Sequence, residues 1–453
     1  MGFRDLVKKI VPAKLFRGIE PYGHWAEAIL AQVRYGFPAR KLKIIGVTGT
    51  DGKTSTCTLI TQMLRDAGYK VAMVTTISVD YGDGKGEQPN PTRLTTLGAF
   101  PLVRLLKKVQ AGKADWLVLE TTSHALAQHR TWGVPYSVAV MTNIGHEHLD
   151  YHGTFERYRD AKKMLFTQTN HNRKGLQTGI VNGDDPSALL FAKEVKHSLV
   201  YGMKEGDLIA KNVQLSPSGS RFTVLINDEP HKIVCHLPGS FNVYNSLAAV
   251  GVGHVIGLTK EQIERGIASL QAVEGRMTSV DEGQNFEVIV DYAHTPESFE
   301  KVFKELRPVT KGRMIAVFGS AGRRDEAKRA KQGEIAGKYC DIVVVTEEDD
   351  RDMDGEAIME QIASGAEQSG KKKEKDLFLV HKREDAVHKA IAVAQKGDVV
   401  LLLGKGHEKS ILSNGPKAAE LRQELQNDTD PTRVIKRPYD EVMVAKQAIR
   451  NSM

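Results

Sequence analysis

Residues 43–56, KIIGVTGTDGKTST, decide the fold of the first half of the chain. An apolar run, predicted to be a β-strand, breaks into a glycine-rich loop that ends in Gly52, Lys53 and Thr54 and precedes a helical pattern. In such a loop the backbone N–H groups and the positive end of the helix attract phosphate groups. Lys53 adds a point charge, and the Thr54 hydroxyl can ligate Mg²⁺. The stretch therefore predicts a nucleotide-binding loop.

This loop departs from the strict Walker A pattern, which requires a glycine at the position of Val47. The chain has its glycines at Gly46 and Gly49 instead. A glycine turn between strand and helix also occurs in doubly wound sheets that bind no nucleotide. The order of strand, Gly-Lys-Thr and helix nevertheless favours nucleotide binding. The ATP-binding candidates of the loop are Gly49, Thr50, Asp51, Gly52, Lys53, Thr54 and Ser55.

The composition is that of an ordinary globular protein, with 41% hydrophobic and 26% charged residues among 453. The net charge is +7, but the basic residues are scattered without an aromatic-interleaved stripe, so we expect an anionic small-molecule substrate and no nucleic acid. No apolar stretch is long enough to span a bilayer. Cys57, Cys235 and Cys340 have neither disulfide nor metal-ligand spacing, which favours the cytoplasm.

Strand-like runs alternate with helical patterns in two series, which predicts an α/β protein. The first series predicts a mostly parallel sheet with an antiparallel flap at residues 208–237, closed by helices near 241–256 and 260–270. The second predicts a Rossmann-like sheet with glycines at its strand ends. The predicted strands lie within residues 43–49, 71–76, 116–123, 137–143 and 178–185, and then within 286–293, 313–320, 341–348, 377–381 and 398–406.

These patterns divide the chain into three parts. Residues 1–40 are predicted to be a short N-terminal helical segment with an apolar face of Phe3, Leu6, Val7 and Ile10. Residues 41–273 are the predicted central ATP-binding domain, and residues 274–453 the predicted C-terminal Rossmann-like domain.

Candidate metal ligands follow the predicted strands of the first series. Glu120 ends one strand and His148 follows another, so both can meet near Thr54 and form a Mg²⁺ shell with its hydroxyl. Taken alone, His148 is better explained as a turn histidine, but its neighbours favour the metal. Lys162 lies on a predicted helix beside Lys163, and the residues alone do not decide between a functional lysine and an exposed one.

Other polar residues have two explanations each. Asn242 and Asn245 lie on one face of a helix and can cap it or bond to an adenine edge. Arg276 offers a fixed positive fork, and Asp291 ends a strand where a carboxylate can hold ribose hydroxyls, although both can instead form an interdomain ion pair.

The segment TEEDDRDMD, residues 346–354, contains six carboxylates around Arg351. A solvated acidic loop is the default explanation. At the carboxyl end of a strand, the segment can also receive a cationic amino acid whose carboxylate Arg351 grips.

Taken together, ten ordered motifs resemble the Mur ligases, the ATP-dependent amide ligases that build the peptidoglycan stem peptide, and most closely the tripeptide synthetase (MurE-type) branch. The resemblance runs from about Lys43 to the end of the chain. The motifs are GVTGTDGKTST, LTTLG, ETTSHALAQHR, TNIGHEHLDYHGTFERYRDAK, VNGDD, GSFNVYNSLAAV, GRM, DYAHTP, FGSAGRRDEAKR and LLLGKGHE.

The resemblance implies a role for each candidate residue. Lys53, Lys162, Glu120 and His148 are the implied catalytic residues, with Lys162 as a carbamylated lysine, formed with CO₂, that supplies a carboxylate for a second Mg²⁺. ATP would also contact Asn245 at adenine, Arg276 at the γ-phosphate and Asp291 at ribose. The implied muramoyl-peptide residues are Thr95, Thr96, Thr122, Gln128 and Arg130. The implied amino-acid residues, in the C-terminal domain, are Arg351, Asp349, Gly404 and Glu408.

The implied reaction passes the γ-phosphoryl group of ATP to a substrate carboxylate, and an amino acid then attacks the resulting acyl phosphate. The implied partners are UDP-N-acetylmuramoyl-L-Ala-D-Glu and either meso-diaminopimelate or L-lysine, on a monomer or weak homodimer. Two alternatives stay open. One is ligation to another carboxylate, such as a lipid-linked muropeptide or a polyglutamate-type chain, and the other is a nucleotide-switched, non-catalytic subunit.

The chain departs from the family pattern at two places. The amino-acid loop commonly contains Asp-Asn-Pro-Arg, whereas here Asp349 and Asp350 precede Arg351. The added amino acid is therefore either diaminopimelate, which is slightly favoured, or lysine. The family also has an N-terminal domain that binds the uridine diphosphate, and the roughly forty residues before Lys43 are too few to form a full domain of this kind.

Overall fold

The computed structural model describes residues 13–90, 95–323, 326–413 and 435–452. The predicted apolar face of Phe3, Leu6, Val7 and Ile10 lies outside these residues. The chain divides into two compact units. The first runs to Val213 and adds Arg221–Cys235 and Phe241–Leu270, while the second holds the two short intervening segments and the chain from Gln271 onward. The domain boundaries at residues 40/41 and 273/274 stay predictions.

The elements up to residue 268 build a large sheet with its flanking helices. The strands are β1 (Lys43–Thr48), β2 (Val71–Val74), β3 (Ser78–Asp80), β4 (Gln88–Pro89), β5 (Trp116–Glu120), β6 (Tyr136–Met141), β7 (Thr178–Asn182), β8 (His197–Gly202), β9 (Leu208–Ser216), β10 (Gly219–Ile226) and β11 (Glu229–Cys235). The helices are α1 (Ala13–Tyr35), α2 (Lys53–Asp66), α3 (Ala99–Ala111), α4 (Ser123–Ala127), α5 (Leu149–His152), α6 (Phe155–His171), α7 (Ala188–Ala192), α8 (Ser240–Ile256) and α9 (Lys260–Ala268).

These strands form an 11-stranded sheet in the order β11-β10-β9-β8-β7-β6-β1-β5-β2-β3-β4. The pairs that join β2, β5, β1, β6, β7, β8 and β9 are parallel. Strands β5, β6 and β7 are buried at every position, as near-continuous apolar runs between two helical layers require. Because β1 lies between β5 and β6, the loop after β1 adjoins the carboxyl ends of both strands.

The second unit contains a smaller sheet of the same kind. Its elements are β12 (Thr278–Ser279), β13 (Glu287–Asp291), α10 (Pro296–Leu306), β14 (Met314–Phe318), α11 (Ala327–Tyr339), β15 (Ile342–Val345), α12 (Gly355–Gln368), β16 (Leu377–Leu379), α13 (Arg383–Val393), β17 (Val399–Leu403), β18 (Ser410–Ser413), β19 (Ile435–Pro438) and α14 (Glu441–Ser452). The six-stranded order is β12-β13-β17-β14-β15-β16, parallel from β13 to β16, and β18 and β19 form a separate antiparallel ribbon.

The predicted α/β class, with a mostly parallel first sheet and a second Rossmann-like sheet, is confirmed. Every predicted strand is present but ends early, because the polar residues at its carboxyl end leave the sheet and enter a loop. The three cysteines are buried and form no disulfide. In the part of the chain that the structure describes, no helix is long and apolar enough to cross a membrane.

Candidate active site

The loop between β1 and α2, residues 49–52, requires glycine at two positions. Gly52 has φ +78°, and a Cβ atom there would lie 2.4 Å from Asn245 Oδ1. Gly49 has φ +153°, and a Cβ atom there would lie 1.8 Å from Thr142 Oγ1. A side chain would therefore both strain this backbone and collide with its neighbours. The off-pattern glycine spacing follows from these contacts.

Residues after β6 hold the loop in place. Asn143 accepts a hydrogen bond from Thr50 N through its carbonyl at 2.8 Å and from Asp51 N through its side chain at 2.9 Å. Thr142 Oγ1 donates to Asp51 O at 2.7 Å. The Thr50 hydroxyl lies 2.9 Å from the hydroxyl of Tyr158 on α6. Ser55 lies in the first turn of α2 and is buried. The loop is thus fixed by the strand end beside it.

Lys53 and Lys162 converge on one carbonyl oxygen. Lys162 Nζ donates to Gly49 O at 2.5 Å, and Lys53 Nζ donates to the same oxygen at 3.0 Å. Lys162 is only 2% exposed, so the alternative of an exposed helix lysine is wrong. Burial, together with the positive charge of Lys53, lowers the pKa of Lys162 well below its usual range. The side chain is therefore prepared to lose its proton.

Glu120 lies at the centre of a buried hydrogen-bonded group, and its exposed fraction is 2%. Its carboxylate accepts a hydrogen bond from the Thr54 hydroxyl at 3.0 Å. It also accepts bonds from the backbone N–H of Thr76 at 2.9 Å and from the Thr76 hydroxyl at 3.1 Å. The structure thus brings together two of the predicted magnesium ligands.

His148 has other surroundings. Its ring lies 4.7 Å from the ring of His124 and 6.3 Å from that of Tyr158, and its Nε2 lies 3.7 Å from a Glu147 oxygen. Among the residues that the structure describes, no group of three or more His, Cys, Asp or Glu side chains is arranged to hold a metal ion. The structure therefore joins Thr54 to Glu120, while His148 packs in an aromatic cluster with His124 and Tyr158.

Three of the five predicted muramoyl-peptide residues extend the group around Glu120. The Thr76 hydroxyl donates to Thr95 Oγ1 at 2.9 Å. Thr96 Oγ1 donates to the Glu120 carbonyl at 3.2 Å and accepts from the Thr122 hydroxyl at 3.2 Å. A continuous row of hydrogen-bonded side chains, in which the Glu120 carboxylate joins the threonine hydroxyls, consequently leads from the phosphate loop to these residues.

The other two members of that predicted set flank the row. Arg130 Nη1 donates to Thr96 O at 3.3 Å. Gln128 Nε2 donates to the Tyr151 hydroxyl at 2.9 Å, while its Oε1 is buried and has no hydrogen-bond partner in the part of the chain that the structure describes. A buried amide oxygen without a partner is costly unless a ligand donates to it. Gln128 therefore has the acceptor that a bound substrate would use.

Asn245, the predicted adenine contact, faces the phosphate loop. Its Oδ1 accepts a hydrogen bond from the Thr56 hydroxyl at 3.2 Å, and its Nδ2 donates to Asn242 Oδ1 at 2.8 Å. In the second unit, the Asp291 carboxylate accepts bonds from the N–H groups of Met277 and Ala293, both at 2.8 Å. Burial raises the pKa of Asp291. Both side chains are thus engaged by their own unit.

Arg276 contacts the ring of Tyr292, the residue after Asp291. Its guanidinium carbon is 5.3 Å from the centre of that ring. Its Nε is buried and has no hydrogen-bond partner within the described ranges. This cation consequently keeps a donor for an anionic ligand.

The first four carboxylates of the acidic segment after β15 are buried, so the expectation of a solvated loop is wrong for them. Glu347, Glu348, Asp349 and Asp350 are only 6–8% exposed, whereas Asp352 and Asp354 are exposed. Side chains of the same unit contact three of the buried four. Arg437 Nη2 donates to Glu347 at 2.6 Å, Lys405 Nζ donates to Asp349 at 2.9 Å, and His381 Nε2 lies 3.1 Å from Asp350.

These ion pairs also involve two predicted amino-acid residues. Lys405 is fully buried and donates to Glu408 at 2.7 Å as well as to Asp349, so both carboxylates balance its charge. Gly404 has φ +106°, and the half-buried Arg351 has φ +56°. The Arg351 N–H donates to Leu412 O at 3.0 Å, which leaves its side chain for other contacts.

Glu348 is the exception in the acidic run. Its Oε2 is buried and has no hydrogen-bond partner among the described residues, and it would lie 3.2 Å from a Cβ atom at Gly404. Burial raises the pKa of this carboxyl to about 7. An orphaned buried carboxylate oxygen at a strand end indicates a place for a cationic group.

Our reading of the sequence missed Glu348, Thr76 and Tyr158. Thr76 and Glu348 lie two and three residues after the ends of β2 and β15, so the rule that located Glu120 also applies to them. No comparable pattern predicts the role of Tyr158. It lies on a helix, and the sequence does not show that this helix packs against the phosphate loop.

The fold and these contacts define a class of proteins. They are α/β enzymes with a phosphate-binding loop at the end of one parallel sheet and a second, Rossmann-like sheet. Residues 47–253 match the family described as Mur ligase middle domain, and residues 275–406 match Mur ligase, glutamate ligase domain.

The chain is similar to curated proteins over most of its length. A UDP-N-acetylmuramyl-tripeptide synthetase of Roseiflexus is 40% identical over 422 residues, which cover 89% of this chain and 82% of that protein. A UDP-N-acetylmuramoyl-L-alanyl-D-glutamate–2,6-diaminopimelate ligase of Geobacillus kaustophilus is 38% identical, over 84% of this chain and 78% of that protein.

A solved structure supports the same relationship. A UDP-N-acetylmuramoyl-L-alanyl-D-glutamate–2,6-diaminopimelate ligase has 29% identity and a TM-score of 0.67, covering 90% of this chain and 78% of that one. The chain belongs to the Mur ligase family, whose members are ATP-dependent amide ligases. The predicted family and enzyme class are therefore confirmed.

Proposed function

We propose that this chain joins meso-diaminopimelate to the D-glutamyl carboxylate of UDP-N-acetylmuramoyl-L-Ala-D-Glu in the cytoplasm, with hydrolysis of ATP to ADP and phosphate. The observation that carries the proposal is the hydrogen-bonded row that runs from the Thr54 hydroxyl through the Glu120 carboxylate and the Thr76 hydroxyl to Thr95. This row connects the phosphate loop to the predicted acceptor residues within one unit. Three buried cysteines without a disulfide accord with a reducing compartment.

The phosphate loop would bind the triphosphate of ATP through its backbone N–H groups. Lys53 exchanges its bonds to Gly49 O and Thr50 O for phosphate oxygens, and its charge neutralises the transferring γ-phosphoryl group. The acceptor carboxylate attacks phosphorus, and the bond to the β–γ bridging oxygen breaks. An acyl phosphate and ADP result.

Thr54 and Glu120 would hold Mg²⁺, because a hydroxyl and a carboxylate are the hard oxygen ligands that this ion prefers. When bound, the ion neutralises phosphate charge. The low pKa of buried Lys162 favours the free amine, which adds CO₂ to give a carbamate and releases one proton. The new carboxylate would lie beside Gly49 and add a ligand for a second ion.

Glu348 and Arg351 would hold the incoming amino acid. The orphaned Glu348 oxygen accepts a hydrogen bond from an ammonium group, and Arg351 binds a carboxylate. Diaminopimelate carries a distal ammonium and a distal carboxylate, whereas lysine lacks the second carboxylate. A free amino group of the amino acid then attacks the acyl phosphate, an amide forms and phosphate leaves.

The test offers the purified protein ATP, Mg²⁺ and UDP-N-acetylmuramoyl-L-Ala-D-Glu with a panel of diamino and neutral amino acids, and measures product masses. We expect a mass gain with meso-diaminopimelate and none with Lys53→Ala. The absence of a mass gain with every amino acid would contradict the proposal. If a product forms with a nucleotide-free muramoyl dipeptide and none forms with the UDP-linked one, the acceptor is the nucleotide-free compound.

A further inference from the structure

The ribbon of β18 and β19 is attached to the acidic loop, residues 346–351, by backbone contacts. The Arg351 N–H donates to Leu412 O at 3.0 Å, and the Leu412 N–H donates to Asp349 Oδ1 at 2.9 Å. Ser413 forms an isolated parallel bridge with Arg351. One edge of the ribbon therefore continues into the loop that carries the proposed amino-acid ligands.

The Arg437 side chain attaches the other strand of the ribbon. Arg437 lies on β19, opposite Ile411 of β18. Its guanidinium donates to Glu347 Oε1 at 2.6 Å and also contacts Glu384, on the first turn of α13. The Arg437 side chain is 15% exposed and that of Glu347 only 7%. Arg437 thus joins the ribbon, the acidic loop and α13.

We propose that Arg437 is a positioning residue for the amino-acid site: by holding Glu347, it sets the place of the adjacent Glu348 and of Arg351. This inference rests on the proposed function. Nothing in the sequence motifs points to Arg437, because it lies outside all ten of them.

The physical reason is the cost of an unpaired charge. Burial raises the pKa of Glu347, and Arg437 opposes that rise. Without the guanidinium, the Glu347 carboxylate must take up a proton or turn toward water. Either change moves the loop backbone next to Glu348. The orphaned oxygen of Glu348 can contact the amino acid only if this backbone keeps it in place. Shifts of about 1 Å at a binding group can reduce turnover about 10²-fold.

The test compares Arg437→Gln and Arg437→Lys with the matched control Arg450→Gln. Arg450 belongs to the same C-terminal segment, but its side chain, which pairs with Glu282, is 60% exposed. We expect Arg437→Gln to raise the KM for the amino acid by about 10- to 100-fold and to leave the KM for ATP within about twofold. Arg437→Lys should have a smaller effect, because an ammonium group lacks the planar fork that reaches two carboxylates. The control should match the wild type.

The double variant Glu347→Gln, Arg437→Gln separates positioning from folding. Because it removes both charges, it should restore part of the amino-acid affinity lost in Arg437→Gln. Titration calorimetry with diaminopimelate measures that affinity without turnover, and circular dichroism melting shows whether each variant is folded. An unchanged amino-acid affinity in folded Arg437→Gln, or equal losses for ATP and the amino acid, would overturn the inference.

The two failures are distinguishable. A wild-type protein that binds diaminopimelate but forms no product contradicts the proposed function, while the calorimetric comparison still decides the role of Arg437. A wild-type protein that binds no diaminopimelate overturns both.

Discussion

Two ammonium groups share the Gly49 carbonyl oxygen, and this single contact explains the chemistry expected of Lys162. A buried lysine next to another cation is more stable as a neutral amine, the form that reacts with CO₂. Its neighbour Lys163 is instead paired with Glu194 at 3.2 Å and is partly exposed. Adjacent residues of the same type thus differ in reactivity because they lie on different faces of one helix.

Lys162→Ala should reduce turnover by about 10²–10³-fold, because the proposed carbamate would no longer help to hold the second Mg²⁺ that neutralises charge near the transferring phosphoryl group. Added short-chain carboxylates should restore part of the rate. Steady-state kinetics with and without acetate measure both effects. Lys163→Ala is the control and should keep wild-type kinetics. Equal rates for Lys162→Ala and wild type would rule out the carbamate.

Glu348 should make the stability of the protein depend on pH. Its pKa rises from 4.5 to about 7 on folding, so in this interval the folded state holds a proton that the unfolded state has released. Stability therefore falls as pH rises through the window, by up to about 3 kcal/mol. Glu348→Gln cannot ionise, so its stability relative to wild type should increase between these pH values and its affinity for diaminopimelate should fall.

Denaturant unfolding of both proteins across that pH range measures the difference. Glu360→Gln is a control, since Glu360 is exposed on α12. A difference between Glu348→Gln and wild type that does not change with pH would contradict the raised pKa.

At the scale of elements, the start of α2 depends on the strand ends beside it. The helix begins at Lys53 directly after Gly52, whose left-handed backbone turns the first N–H groups toward the loop. Asn245 of α8 packs against this glycine, so α8 contributes to the shape of the phosphate loop. The loop is consequently a joint product of β1, α2, β6 and α8.

Gly52→Ala should abolish most ATP binding, because its methyl group would displace Asn245 and strain the backbone. Gly68→Ala is the matched control: Gly68 has φ +94°, but a Cβ atom there meets nothing within 4 Å. The control should lose only about 1–2 kcal/mol of stability from the left-handed conformation and keep its affinity for ATP. Calorimetric titration with a non-hydrolysable ATP analogue compares the two. Equal ATP affinities would show that contact with Asn245 is unimportant.

At the scale of the whole molecule, each sheet has its own core, and a buried ion pair helps to hold the second. Arg383 and Glu441 are fully buried, and Arg383 Nε donates to Glu441 at 2.8 Å. Arg383 Nη2 also donates to the carbonyl of Leu403, at the end of β17. Helix α14 is thereby fastened to α13 and to the centre of the second sheet.

Glu441→Gln should destabilise the second unit by about 3–5 kcal/mol, because it leaves the Arg383 charge buried and unpaired. Hydrogen exchange should show faster exchange in β13, β14 and β17, with the amides of β1 and β5 as internal references. Glu334→Gln, which removes an exposed ion pair with Lys331, should change little. Equal exchange rates in Glu441→Gln and wild type would contradict the role of the pair.

Much of this architecture is readable from local patterns. Apolar runs at β1, β5 and β17 are long enough to show their burial on both faces, and the Gly-Lys-Thr sequence marks the loop after β1. Glu120 was found because parallel strands end at the same edge. The true strand ends were less predictable, since a run such as residues 341–348 continues in sequence beyond the last paired residue, Val345.

The amino-acid sequence by itself determined the fold class, the phosphate loop and the family, because these depend on periodicity and on residues that are close in the chain. Only the tertiary structure decided which charged groups are already paired. The carboxylates at residues 347–350 look alike in sequence, yet Arg437, Lys405 and His381 reach three of them and leave Glu348 with an orphaned oxygen. Those partners come from distant segments, and the energy of a buried charge depends on its neighbours in space.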